Sequence, residues 1–268
     1  MKVPSKIFLL ALAAALASGP GLARASGFSF DAPSAGLALA DAPEAPRAAA
    51  APAPARLYDF GTLYKSLGYP SPDLFGSTAE EVSDLDAYTS QEDPIYTEIN
   101  GYLRYYPAPY DWSGTGPEDA RVIVARMDNI FARVPALPED AVLLRGLGLG
   151  YRDNEPYTPG EEFVDKGYVS ATASFKVAYH FAVEMDGREE KPSRRAVFAL
   201  YFTRPERAIL VDQGEDEAIL PHGRRFRVMA ARPGGKYDLY LVQLCAASCE
   251  TAVRPAAAAF WASFSPAD

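Results

Sequence analysis

Glu215 and Glu217 stand two residues apart, immediately before the apolar run Ala218, Ile219, Leu220 and Pro221. In an extended chain such residues share a face, so both carboxylates would point together from the start of a buried strand. Arg145 closes the run Ala141 to Arg145 directly before Gly146. There a guanidinium can meet a phosphate through two bonds while glycine lets a ligand approach the backbone. Ser170 and Thr172 alternate on one face of a further strand. Each feature also has a plainer reading: a solvated acidic turn, a surface arginine and a half-exposed strand.

The chain has 268 residues, with two His and two Cys in all. That leaves little for a zinc cage, a haem or a Ser/His/Asp triad, so any enzyme chemistry must rest on carboxylates, hydroxyls and arginines. With 26 Lys plus Arg against 35 Asp plus Glu the formal charge is −9, which argues against a polyanion-binding groove and hence against nucleic acid as a partner. Gly146, Gly148 and Gly150 are spaced as GxGxG, not as a dinucleotide fingerprint, and no helix is expected after them. GxSxG, Walker and HExxH motifs are absent from the sequence, which removes the familiar hydrolase and NTPase routes.

The elements that would carry these residues follow from patterning. Ser77 followed by Glu80 predicts a capped helix through Glu81, Val82 and Leu85, and Pro94 separates it from a second around Tyr96 to Arg104. Ile123, Met127, Ile130, Phe131 and Val134 recur at helical spacing and read as core contacts. After Pro138 strands are expected at Ala141 to Leu144, Gly167 to Val169, Ala196 to Thr203, Ala208 to Val211, Ala218 to Leu220, Phe226 to Met229 and Tyr237 to Leu244. One helix, about Phe175 to Val183, interrupts them. Helices first and mostly strands later is an α+β order.

Upstream, Lys2 and Lys6 precede an apolar run from Ile7 to Ala17, and Ala23, Arg24 and Ala25 form a small-x-small site. Residues 1–25 therefore read as a signal peptide. Eleven residues rise only about 17 Å as a helix, short of a hydrocarbon core of roughly 30 Å, so no stable membrane anchor is expected. Cleavage removes three basic residues and no acid, leaving 23 against 35, a net −12. From Asp31 to Arg56, 12 of 26 residues are Ala and 5 are Pro, so residues 26–56 read as a linker and 57–268 as one domain. In an exported chain, Cys245 and Cys249 are expected to form a local disulfide rather than a metal knuckle. A secreted or periplasmic location follows.

In chain order, Arg145 and Gly146 at a strand end, then Tyr168, Ser170 and Thr172, then Glu215 and Glu217 ahead of Leu220 and Pro221 resemble the Arg-Ser-Glu class of mono-ADP-ribosyltransferases. Tyr88, Thr89, Tyr96, Ile99, Asn100, Leu103 and Arg104 are similar to the Tyr-Thr and Tyr-x-x-Ile-Asn-x-x-Leu-Arg pattern of bacterial toxin members. The resemblance spans about Tyr88 to Met229. Three departures stand out. The family's Ser-Thr-Ser is Ser170, Ala171, Thr172; Gln91 to Pro94 form a small insertion; and the turn before Glu215 is short and lacks an aromatic residue.

The resemblance implies N-terminal helices followed by two small packed, mainly antiparallel sheets, with NAD+ bound as substrate in a cleft between them and no metal required. It implies that Glu217 stabilises the oxocarbenium-like ribose and that Arg145 holds the phosphate and ribose side. The Gly146 backbone would meet the nicotinamide amide, Ser170 and Thr172 would position the nicotinamide ribose and Glu217, and Tyr88 and Asn100 would line the adenosine side. Glu215 would orient the nucleophile and accept its proton, which in this family goes with arginine as acceptor. The implied protein is a monomeric exported toxin or effector acting on a target protein with an accessible arginine. An NAD+ glycohydrolase and a catalytically silent binding module are the alternatives.

Overall fold

The computed structural model describes residues 55–265 apart from 72, 91–94, 109–113, 140, 185–193, 213–215 and 247. The leader, most of the Ala/Pro segment, the insertion Gln91 to Pro94 and Glu215 lie outside the described residues.

Four helices come first: α1 (Phe60–Ser66), α2 (Ala79–Thr89), α3 (Ile95–Tyr105) and α4 (Pro117–Arg133). Helix α4 starts with Pro at its first position, carries Glu118 and Asp119 in its first turn and ends on Arg133, in keeping with the helix dipole. Its expected stripe of Ile123, Met127, Ile130 and Phe131 is buried.

Helix α2 is capped by Thr78, not Ser77. Two overlapping capping boxes exist here, Ser77 with Glu80 and Thr78 with Glu81, and tertiary contacts decide between them. The Thr78 hydroxyl accepts from Glu81 N at 3.2 Å, Glu81 Oε2 accepts from Thr78 N at 2.9 Å, and Arg133 reaches across from α4 to the same carboxylate. The Ser77 hydroxyl instead donates to the Leu74 carbonyl at 2.7 Å.

The strands are β1 (Arg56–Leu57), β2 (Ala136–Leu137), β3 (Ala141–Gly148), β4 (Glu162–Asp165), β5 (Val169–Thr172), β6 (Arg195–Phe202), β7 (Glu206–Arg207), β8 (Ile209–Val211), β9 (Glu217–Leu220), β10 (Arg224–Arg232) and β11 (Asp238–Leu244). Helix α5 (Phe175–Tyr179) runs on into a π-helical turn (His180–Glu184), and α6 (Pro255–Ser263) follows β11. A two-stranded sheet pairs β2 with β7, and the main sheet has the order β4, β10, β11, β6, β3, β5, β9, β8, with β1 added beside β3. Most pairs are antiparallel; β11 with β6 and β1 with β3 are parallel. This is the expected α+β class.

The main sheet is nearly two sheets. Strands β3 and β6 pair along seven residues from Val142 to Gly148, whereas β3 and β5 share only Leu144 opposite Thr172. Beyond that pair β3 keeps β6 and parts from β5. Alternate β3 residues serve two cores: Ala141 and Leu143 pack with α1 to α4, and Val142 and Leu144 pack with α5 and α6. Burial on both faces explains why the strand reads as a continuous apolar run. Ala55, the first described residue, is buried in the second core. Cys245 and Cys249 are joined as a disulfide just after β11.

Candidate active site

Where β3 and β5 part, Arg145 spans the opening. Its Nη1 donates to the Ser170 carbonyl at 2.9 Å, and its Nη2 lies 3.7 Å from Asp165 Oδ2. Arg145 is a strand end only toward β5. On the β6 side the ladder continues, with Arg145 opposite Phe198 and Gly146 opposite Val197, so the sequence expectation of a strand ending at Arg145 is corrected by three residues. Gly146 has a packing reason to be glycine. A Cβ there would lie 1.8 Å from the Ala178 carbonyl oxygen and 2.7 Å from Ala182 N, so the backbone of α5 and its π-turn crosses the strand at this residue.

Asp165 holds a second guanidinium. Arg104, near the end of α3, donates from Nε and Nη2 to Asp165 Oδ1 at 3.2 and 2.9 Å, and Gly167 N donates to the same oxygen at 3.0 Å. Two arginines thus share one carboxylate, which leaves a net positive pair whose side chains are 14% and 20% exposed. Such a pair offers bidentate donors to an anionic group. Arg104 ends the Tyr-x-x-Ile-Asn-x-x-Leu-Arg pattern, which by itself points to no task for it, and nothing local in the sequence marks Asp165.

Asn100 lies one helical turn before Arg104, on the same face of α3. Its Oδ1 accepts from Tyr168 N at 2.8 Å and its Nδ2 donates to the Tyr88 hydroxyl at 3.0 Å. Both Tyr88 and Asn100 are buried, so their polar groups serve the protein interior. Gly167 lets α3 come this close, since a Cβ there would sit 2.6 Å from Asn100 Oδ1 and 3.0 Å from Arg104 Nη2. The Tyr168 hydroxyl reaches Asp128 Oδ1 at 3.0 Å and the Val124 carbonyl at 3.2 Å, and its ring stands edge-on to Tyr88 at 5.7 Å. Helices α3 and α4 therefore fix the start of β5 from both sides.

At the other end of β5, Thr172 lies directly opposite Glu217, and Ser170 opposite Ile219. Directly opposed side chains of an antiparallel pair share a face at close range, so the hydroxyl strand and the carboxylate adjoin. Thr172 is buried, and its Oγ1 accepts from Ser174 N at 3.0 Å, while Ser174 in turn caps α5. Glu217 is half-buried and is the first residue of β9. Asp216 just before it has φ +50°, a left-handed turn position that Asp tolerates. Burial, with Asp212 and Asp59 nearby, pushes the Asp216 carboxyl above its ordinary value.

One buried phenol senses three of these groups. Burial raises the Tyr88 pKa well above the ordinary tyrosine value; the Asn100 bond opposes this, Glu217 adds to it, and Arg145 and Arg104 oppose it. Residues from α3, β3 and β9 therefore act electrostatically on one point. The structure brings Tyr88, Asn100, Arg145, Ser170, Thr172 and Glu217 together around the parting of β3 and β5. Among the described residues no three His, Cys, Asp or Glu side chains gather as metal ligands would.

The fold matches that of solved ADP-ribosyltransferases. Its solved neighbours are bacterial toxins of that kind. The Vis toxin, an ADP-ribosyltransferase from Vibrio splendidus, is 19% identical over 70% of this chain and 82% of its own, with a TM-score of 0.51. The Vis structure in complex with agmatine is 16% identical over 70% and 83%, with a TM-score of 0.53. BECa, an ADP-ribosylating toxin of a binary enterotoxin of C. perfringens determined with NADH, is 15% identical over 69% of this chain and 48% of its own, with a TM-score of 0.50. No protein-family model matches the chain, and no curated protein sequence does.

Proposed function

We propose that the protein cleaves the bond between nicotinamide and ribose in NAD+ and transfers ADP-ribose to an arginine of a target protein. The observation that carries this reading is the placement of Glu217 directly across the ladder from Thr172, with Arg145 and Arg104 acting on the same Tyr88 phenol. A diphosphate ester needs cationic donors, and the two arginines at Asp165 supply them. Tyr88 and Asn100 contribute by fixing the wall on the adenosine side. The Gly146 backbone meets the nicotinamide amide.

As the C–N bond breaks, its electron pair leaves with nicotinamide and positive charge develops on the ribose. A fixed carboxylate that grips the ribose 2′-hydroxyl more strongly as this charge grows lowers the barrier. Glu217 fills that role, positioned by Ser170 and Thr172. A guanidine nitrogen then forms the new bond to the ribose carbon and must lose a proton. Strongly basic, it is protonated near neutrality and a poor nucleophile until that proton is taken up. Glu215, two residues before Glu217, orients it and accepts the proton. The Vis structure in complex with agmatine, a guanidine, supports this reading.

In this reading residues 1–25 direct export, the Ala/Pro segment tethers or precedes the catalytic domain, and the mature protein acts as a secreted or periplasmic effector. The test compares nicotinamide released with label fixed on agmatine, using labelled NAD+, in the mature protein and in Glu215→Gln. The variant keeps size and hydrogen bonding but removes the anion, so transfer should fall far more than hydrolysis. Hydrolysis without transfer in the unmodified protein would make it a glycohydrolase, and an unchanged ratio in the variant would remove the support for arginine as acceptor.

A further inference from the structure

On the outer side of β8 an open cavity of about 260 Å³ lies between that strand, α2 and the loop after α1. Leu74, Val82, Leu85 and Val211 form apolar walls, and Asp86 and Asp212 are exposed carboxylates in its lining. Val211 is also the register partner of Glu217, so the cavity is one strand away from the proposed catalytic carboxylate. Its volume falls below the roughly 300–1,000 Å³ typical of small-molecule sites, a size that suits one inserted side chain.

The chemistry of the lining selects that side chain. Lys and Arg bury an apolar stem and keep the charged head at a polar rim, which matches apolar walls under two carboxylates. Neither Asp86 nor Asp212 has an ion-pair partner among the described residues. The negative field at the rim is felt by its neighbours: burial and then Asp212 raise the Tyr64 phenol, and burial and then Asp212 and Asp59 raise the Asp216 carboxyl. Leu74 and Phe75 both hold positive φ, 43° and 58°, ahead of Gly76. Consecutive non-glycine residues in that region are costly, and the surrounding structure holds Leu74 in the wall in spite of it.

We infer that this cavity docks an arginine or lysine side chain of the target protein, beside the acceptor arginine, and so selects substrates with a basic surface segment. The inference rests on the reading of Glu217 as the transfer site only for the identity of the partner as substrate; occupancy of the cavity can be measured without turnover. The experiment is fluorescence anisotropy of a labelled tetra-arginine peptide with the mature protein at low ionic strength.

Asp86→Asn with Asp212→Asn should weaken binding about five- to tenfold, the scale of losing two exposed ion pairs. Glu155→Gln with Asp153→Asn removes the same charge from two exposed positions outside the cavity and should change binding less than twofold. Both doubles should unfold at the same temperature as the parent, and nicotinamide release should stay within twofold. Absence of peptide binding, no loss in the first double, or equal losses in both would overturn the docking site. Selective loss of binding in a protein that releases no nicotinamide would keep the basic-side-chain site and discard the transferase reading.

Discussion

Thr172 and Glu217 are register partners across the antiparallel β5 and β9 strands, and the β5 residue is held by the turn that starts α5. Its hydroxyl accepts from Ser174 N, whose side chain caps that helix. On the other side of β5, Arg145 ties itself to the Ser170 carbonyl across the gap left by β3. One short strand thus sets the distance between a guanidinium and a carboxylate that are 72 residues apart in sequence. Preorganisation of this kind is what electrostatic stabilisation of a developing cation requires.

Arg104 should matter for NAD+ binding more than for bond cleavage. Arg104→Ala is expected to raise the KM for NAD+ at least about tenfold, the scale of losing charge-assisted hydrogen bonds, and to change kcat less than about threefold. Lysine should restore little, because it lacks the planar pair of donors that Arg104 presents to Asp165. Steady-state kinetics of nicotinamide release measures both constants. A normal KM in Arg104→Ala would confine this arginine to holding Asp165.

Gly146→Ala should destabilise the fold by about 2–3 kcal/mol through overpacking, since the added methyl meets the backbone of α5 and not a movable side chain. Urea denaturation is the measurement. A loss under about 0.5 kcal/mol would mean that α5 can shift off β3 freely.

Glu81 gives the stability a pH dependence of known sign. Burial alone would raise its pKa, but the Thr78 N–H and Arg133 outweigh burial and hold the carboxyl below its ordinary value. A depressed folded pKa stabilises fully above the unfolded value of about 4.3 and is lost as pH falls through the folded value. Urea denaturation of the parent and Glu81→Gln should therefore differ most near neutrality and converge in acid. A difference that grew in acid would reverse the assignment.

Much of this arrangement is legible in residue types and spacing, and some is not. Helices α2, α3 and α4 announce themselves through caps and apolar periods. Helix α6 has the composition PAAAAFWAS, apolar without a polar face, and α1 is a single short segment, so neither shows a period to read. Strand β4 is only four residues long and, among the described residues, pairs with β10 alone. Around the site, Arg145, Ser170, Thr172 and Glu217 stand out as types, yet no local pattern tells that β3 leaves β5 after Leu144. Asp165 is likewise silent, because its task comes from two arginines 61 and 20 residues away in sequence. Ser77 and Thr78 offer equal caps locally, and they are separated by contacts from elsewhere: Ser77 bonds the Leu74 carbonyl, while Arg133, from another helix, holds the Glu81 carboxylate of the Thr78 box.

Glu217 is the proposed carboxylate that stabilises the positive charge on the ribose as the nicotinamide bond breaks. Nicotinamide release from NAD+ by the parent protein and by Glu217→Gln, at saturating NAD+, tests this directly. Removing one preorganised stabiliser should lower turnover by roughly a hundredfold or more, with NAD+ affinity changed far less, because Arg104 and Arg145 remain. Near-normal release in Glu217→Gln would contradict the assignment and with it the reading of this split sheet as the reaction centre.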